Sequence, residues 1–179
     1  GILAIDLGNT RVHFSFKTGN INSQPIIANA IYEDVLNLNT TALKTELHPI
    51  LKHALSENVT TFNIAYISVN SDKITEQAIG KIKTFFTKEG FTFNKNILPM
   101  TEFDILDQLD DIKNNFDKRT LGADRAIKYY FAFIESKRIK RNVLVFSLGT
   151  AVTCEGTSPT GNIIENFIFP GIQMSFNAL

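Results

Sequence analysis

Two stretches of the chain share one plan, and that repetition limits the fold more than any other feature of the sequence. Leu3-Ala4-Ile5-Asp6-Leu7-Gly8-Asn9-Thr10 is an apolar run that ends at an acid, then at a glycine and two small polar residues. Leu144-Val145-Phe146-Ser147-Leu148-Gly149-Thr150 repeats the plan near the other end, with Ser147 matching Asp6 and Gly149 matching Gly8. A buried strand that delivers a polar side chain to a turn reads this way. Each copy is followed by an alternating strand, a turn and a third strand. A repeated supersecondary unit predicts a duplicated fold.

In chain order, Ile2 to Leu7 is expected to be a central strand, apolar on both faces. Val12, Phe14 and Phe16 alternate with Arg11, His13, Ser15 and Lys17, which predicts a half-buried second strand. A turn at Gly19-Asn20 leads to a third strand from Ile26 to Tyr32. Apolar spacing predicts a helix from Thr41 to Leu55, with Pro49 kinking it or moving its start. Phe62 to Val69 reads as a strand. A helix capped by Ser71 or Asp72 follows to about Glu89, with Ile74, Ala78, Ile82, Phe85 and Phe86 inward and Gly90 as the stop. A strand from Phe91 to about Asn94 completes a β-β-β-α-β-α-β half.

Thr101 to Lys118 is acidic and polar and reads as a partly helical connection. A helix is expected from Ala123 to about Arg138, with Ile127, Tyr130, Phe131 and Ile134 on its buried face. Its basic end, Lys137 to Arg141, complements the helix dipole. Three strands follow, at Val143 to Leu148, Ala151 to Glu155 and Ile163 to Phe169, with a hairpin turn at Gly156 to Gly161 and a helix start at Ile172. The halves are placed at 1–118 and 119–179. The second copy has only three strands, which would leave an unpaired edge and an uncovered face, so the natural protein is expected to continue.

Lys+Arg and Asp+Glu both number 18 in the 179 residues, so the formal net charge is zero. That balance gives no support to a nucleic-acid or membrane partner. Cys154 is the single cysteine, which excludes an internal disulfide and suits a cytoplasmic location.

The chemistry concentrates at the turns. A glycine after a strand lets a phosphate approach the backbone, because no Cβ blocks it. Turn N–H groups, with Asn9, Thr10 and Thr150, supply donors to phosphate oxygens. Asp6 can hold a hydrated Mg²⁺, which favours carboxylate oxygen and keeps most of its waters. One such turn is also what an ordinary hairpin looks like. Two in equivalent places predict jaws for the phosphates of a nucleotide. Gly122-Ala123-Asp124-Arg125 heads the long helix. Asp124 there suits a dipole-complementing cap, and it also suits a general base for a hydroxyl. Arg125 suits bidentate pairing with a substrate carboxylate.

Asp6-Leu7-Gly8-Asn9-Thr10, Gly122-Ala123-Asp124-Arg125, Gly149-Thr150-Ala151 with Thr153, and Pro170-Gly171 stand in an order and spacing that resembles type III pantothenate kinases. These belong to the acetate/sugar kinase, Hsp70 and actin superfamily. The resemblance implies a duplicated ribonuclease-H-like, actin-like ATPase fold. It also implies ATP-dependent phosphorylation of pantothenate, the first step towards coenzyme A. On that likeness Asp6, Leu7, Gly8, Asn9, Thr10, Arg11, Val12 and His13, with Gly149 and Thr150, would bind ATP, and Asp6 would lie near Mg²⁺. Gly122, Ala123, Asp124 and Arg125 would hold pantothenate, with Asp124 as general base. Homodimers and a need for K⁺ or NH₄⁺ are implied as well. The chain departs from the family pattern at three positions. Ser147 replaces the acid of the monovalent-cation site, His13 stands where Lys is frequent, and Phe116 stands nearest the place of a substrate-contacting Tyr. These departures keep a kinase-like accessory or regulatory protein as an alternative, and the superfamily adds another, a phosphotransferase for another small hydroxy acid.

Overall fold

The computed structural model describes residues 1–19, 23–100 and 121–177. It divides into two compact units, Gly1–Met100 and Thr101–Leu179.

The first unit is built on a five-stranded sheet of order β3-β2-β1-β4-β5. β1 (Ile2–Leu7), β2 (Arg11–Lys17) and β3 (Ile26–Ile31) form an antiparallel meander. β4 (Thr61–Ser68) and β5 (Thr92–Pro99) continue the sheet in parallel on the other side of β1. This is the mixed sheet expected of a ribonuclease-H-like half. β1 is central, and among the described residues of this unit one of its faces is buried. Leu3, Ile5 and Leu7 are buried beside Val12, Phe14 and Phe16. Ile2, Ala4 and Asp6 lie on the other face, opposite Lys17, Ser15 and His13. The expectation of two apolar faces fails because that second face is largely polar.

Three short helices replace the single one expected before β4: α1 (Tyr32–Leu36), α2 (Thr40–Glu46) and α3 (His48–Ser56). Glu33 and Asp34 occupy the first turn of α1, where acids favour a helix start, so β3 ends at Ile31. Leu38 has φ 51°, which ends that helical path. Asn39 caps α2 by accepting from the Ala42 N–H at 3.3 Å. Pro49 falls in the first turn of α3, where its missing N–H costs nothing, so it moves the helix start as anticipated. α4 (Asp72–Lys88) buries Ala78, Ile79, Ile82, Phe85 and Phe86, whereas Ile74 is 40% exposed and does not join that stripe. Gly90, at φ 91°, turns the chain into β5. Rings of Phe62, Phe86 and Phe91 pack together, with Phe62 and Phe91 stacked 4.8 Å apart.

In the second unit β6 (Val143–Leu148), β7 (Ala151–Thr157) and β8 (Ile163–Pro170) form an antiparallel meander, the same start as in the first unit. α5 (Ala123–Ile139) packs on β6 and β7, and α6 (Ile172–Asn177) follows β8. α5 turns a different face inward from the one expected. Ala126, Tyr129, Ala132, Phe133 and Ser136 are buried, while Ile127, Phe131 and Ile134 are exposed and Tyr130 is half-buried. The reason is the sheet beneath. β7 buries Thr153, Glu155 and Thr157, so the helix meets it with small residues and hydrogen-bonding ones. Tyr129 Oη donates to the Glu165 carbonyl at 3.2 Å, and Ser136 Oγ donates to the Ser158 carbonyl at 3.1 Å. Leu144, Phe146, Leu148 and Phe169 are exposed on this sheet. No helix among the described residues is long and apolar enough to cross a membrane.

Candidate functional site

The first turn, Gly8-Asn9-Thr10, closes the β1–β2 hairpin. The Gly8 N–H donates to the Arg11 carbonyl at 3.1 Å, and a Cβ on Gly8 would sit 3.0 Å from that same oxygen. Glycine is therefore needed by the hairpin itself, and its N–H is already committed. Asn9, Thr10 and Arg11 are exposed at the tip, where a phosphate can be met. Val12, by contrast, is fully buried, and Leu7 is buried with it, so both support the turn from below.

Asp6 is half-buried at the end of β1, directly across from His13 in the register. His13 Nδ1 is hydrogen-bonded to Asn29 Oδ1 on β3. Among the described residues there is no group of three or more His, Cys, Asp or Glu side chains that could hold a metal. A single carboxylate beside an exposed turn is what Mg²⁺ needs when it arrives with a nucleotide, because most of its ligands are then waters and phosphate oxygens. Asp6 fits that requirement.

A clamp that spacing did not reveal holds the first turn from behind. Asn70, just past β4, donates from Nδ2 to the Leu7 carbonyl at 3.1 Å and to the Gly8 carbonyl at 3.4 Å. Ser68 Oγ accepts from the Asn70 N–H at 3.1 Å, and it shares a 2.7 Å hydrogen bond with Thr75 on α4. Asn70 lies 62 and 63 residues from its partners, so only the parallel β1–β4 pairing brings them together.

The second turn, Gly149-Thr150, is held by backbone instead. The Gly149 N–H donates to the Ala151 carbonyl at 3.1 Å, and the Gly171 N–H donates to the Thr150 carbonyl at 2.8 Å. A Cβ on Gly171 would lie 2.2 Å from the Gly149 oxygen and 2.4 Å from the Thr150 oxygen. Pro170-Gly171 is thus the support of this turn, and only glycine passes so close to it.

At the head of α5, Gly122 is in extended conformation at the N-cap position, and its carbonyl accepts from the Arg125 and Ala126 N–H groups at 3.0 Å each. A Cβ on Gly122 would meet Asp124 Oδ1 at 2.8 Å, so the carboxylate lies in space that glycine leaves open. Ala123 is buried beneath. Asp124 Oδ2 pairs with Lys128 Nζ at 3.4 Å, one helical turn on. Lys128 Nζ also donates to Thr153 Oγ1 at 3.2 Å, and Thr153 Oγ1 donates to Glu155 Oε2 at 3.0 Å. Glu155 is completely buried, and its Oε1 receives Arg125 Nε at 2.6 Å. Arg125 Nη2 donates to Asn166 Oδ1 on β8. Asp124 and Arg125, neighbours in the chain, are thus linked through one continuous ladder, Asp124, Lys128, Thr153, Glu155, Arg125 and Asn166.

Lys128, Glu155 and Asn166 were not singled out from the sequence. Lys128 was findable, being four residues after Asp124 on the same helix face. Glu155, the lone acid in β7, was a second signal. Two of the Arg125 donors are committed to protein acceptors, so a substrate carboxylate would meet the remaining N–H groups. Phe116 lies outside the described residues.

Ser147 is half-buried and pairs across the strands with Thr153. Among the described residues, the side chains around Ser147 do not fit a bound monovalent cation. Ser147 offers a neutral oxygen. The Thr153 hydroxyl is spent on Glu155 and Lys128, and both Glu155 oxygens are spent on Arg125 and Thr153. A second positive charge beside the Lys128 ammonium would be repelled by it.

A family model described as type III pantothenate kinase matches residues 2–179. No curated protein matches the sequence. Among solved structures, the chain is similar to a Ppx/GppA family member from Aquifex aeolicus, at 14% identity and a TM-score of 0.36, covering 96% of this chain and 52% of that one. It is also similar to an exopolyphosphatase from Cytophaga hutchinsonii, at 12% identity and a TM-score of 0.41, covering 99% and 53%. The ethanolamine utilization protein EutJ from Carboxydothermus hydrogenoformans gives 12% identity and a TM-score of 0.40, covering 94% and 51%. The chain spans about half the length of each of these structures.

Proposed function

The chain belongs to the type III pantothenate kinase family, and from that premise we propose that the protein phosphorylates pantothenate with ATP. The observation that carries the reading is Asp124, an acid held at the first turn of α5 beside Arg125, with one oxygen on Lys128 and the other against Gly122. In this reading Asp124 takes the proton of the primary hydroxyl. The freed oxygen forms a bond to the γ-phosphorus of ATP as the bond to the bridging oxygen breaks, and ADP leaves. Arg125, stiffened by Glu155 and Asn166, turns its remaining N–H groups to the acceptor. The family likeness supports a role for Asn9, Thr10, Arg11 and His13 in the first unit, and for Gly149 and Thr150 in the second, in binding ATP. When bound, Mg²⁺ would be held by Asp6 and would neutralise phosphate charge. A homodimer in the cytoplasm belongs to the same reading. No step is assigned to K⁺ or NH₄⁺, because the described residues around Ser147 do not fit one.

Coupled ADP-release measurement with pantothenate, ATP and Mg²⁺ tests this. Asp124→Asn is expected to lower kcat by about 10² to 10⁴, the usual worth of a general base, with ADP binding unchanged. A variant as fast as the wild type would remove Asp124 from that role, and a wild-type protein with no turnover would refute the reading itself.

A further inference from the structure

We infer that the ammonium of Lys128 takes the place of a soluble monovalent cation in this chain. Three observations meet in one cluster. On the side of the sheet that faces α5, the place mirroring Asp6 is filled by Ser147, which brings no charge. Its cross-strand partner Thr153 accepts a hydrogen bond from Lys128 at 3.2 Å, which is a cation–oxygen contact made by the protein itself. Among the described residues of the ladder, each acid also has a base. Asp124 pairs with Lys128 and Glu155 pairs with Arg125, so two acids face two bases.

A tethered ammonium resembles NH₄⁺ in charge and in its donors to hydroxyl and carboxylate oxygens. Being part of α5, it is present at every salt concentration. Thr153 fixes it with its lone pair because its own proton is directed to Glu155, an orientation that the burial of Glu155 secures. Lys128 therefore does structurally what a bound ion would do: it places one positive charge between β7 and the first turn of α5.

The inference uses the kinase reading only for one arm of its test. The purified protein is melted at fixed ionic strength in potassium, ammonium, sodium or tetramethylammonium chloride, and pantothenate phosphorylation is followed in the same four salts. The wild-type melting temperature is expected to agree among salts within about 1 °C and its rate within about twofold, since no ion binds the native state selectively. Lys128→Ala opens a cavity lined by Asp124 and Thr153. It is expected to lose about tenfold in rate in tetramethylammonium and to recover melting temperature and rate in ammonium or potassium, by preferential ion binding. Lys128→Met fills the same volume without charge and is expected to gain nothing from either ion. A wild-type protein stabilised by potassium or ammonium over sodium and tetramethylammonium would overturn the inference, as would a Lys128→Ala variant with no ion response or a Lys128→Met variant rescued equally well. If the wild type phosphorylates no pantothenate in any salt, the kinase reading falls, while the melting series still decides this one.

Discussion

The two glycine turns look alike in sequence and rest on different foundations. Gly8-Asn9-Thr10 closes a hairpin whose buried side is Leu3, Ile5, Leu7, Val12, Phe14 and Phe16, and a side-chain amide, Asn70, ties its carbonyls to the next parallel strand. Gly149-Thr150 rests on the backbone of Gly171, and the strand that follows it buries Thr153, Glu155 and Thr157. An apolar interior gains stability from area and is indifferent to any one hydrogen bond. The linked pair Thr153 and Glu155 depends on its partners, because a buried group that loses one costs its desolvation. The first turn should therefore tolerate change by degrees, and the second should fail at single atoms.

Gly171→Ala is the sharpest way to break that contrast. Its Cβ would stand 2.2 and 2.4 Å from two carbonyl oxygens of the backbone, which cannot rotate away as a side chain can. The turn must move, and the Gly171 to Thr150 hydrogen bond goes with it. A loss of about 3 kcal/mol is expected from the forced shift. Gly149→Ala is the control. Its Cβ would meet the Ala151 oxygen at 3.7 Å, an ordinary contact, so a change within about 0.5 kcal/mol is expected. Denaturant unfolding of the two variants measures the difference. Equal losses would mean that the close approach of Gly171 is not what holds the turn.

Asn70→Ala asks the matching question of the first turn and should cost less, about 1–2 kcal/mol for the lost hydrogen bonds. The apolar strand beneath the turn stays in place, so the hairpin should persist while its tip loosens. The expected signature is weaker ATP binding together with that modest loss of stability, read by calorimetry and by unfolding. An unchanged ATP affinity would show that the clamp serves the fold alone.

How far the sequence disclosed this arrangement follows from the range of each interaction. The alternation of Val12, Phe14 and Phe16 is local, and β2 forms where it predicts. Pro49 and Gly90 act through their own backbone angles, so their effects were also readable. α5 was placed correctly in the chain, yet its buried face was misjudged. Ile127, Phe131 and Ile134 form a valid apolar stripe, but period alone does not say which stripe meets the sheet. The polar side chains of β7 decide that, and they lie 25 residues or more away, as the Lys128 to Thr153 and Arg125 to Glu155 contacts show. Asn70 was hidden for the same reason. Asp124 and Arg125 stood out because they are adjacent, whereas Glu155, which ties Arg125 to β7, becomes visible only once β7 lies under α5.

The polar interior should also show itself in how the second unit responds to alkali. Burial pushes the Tyr129 phenol up to about 12; Arg125 opposes this, and Glu155, Cys154 and Glu165 add to it. In an unfolded chain a tyrosine titrates near 10. Between these values the unfolded state gives up the proton while the folded state keeps it, so the folded state binds more protons and stability falls as pH rises. The contribution is complete below about pH 10 and drains away towards pH 12, with a loss of about 1 kcal/mol by pH 11. Tyr32 and Tyr66 of the first unit are raised too, chiefly by burial, so the wild type alone cannot isolate the effect. Tyr129→Phe can. It removes the donor to Glu165 and the titration together, and its stability should fall less steeply than that of the wild type between pH 10 and 12. Parallel curves would mean that the Tyr129 environment is no more demanding than the apolar core of the first unit, and the contrast between the two interiors would lose its support.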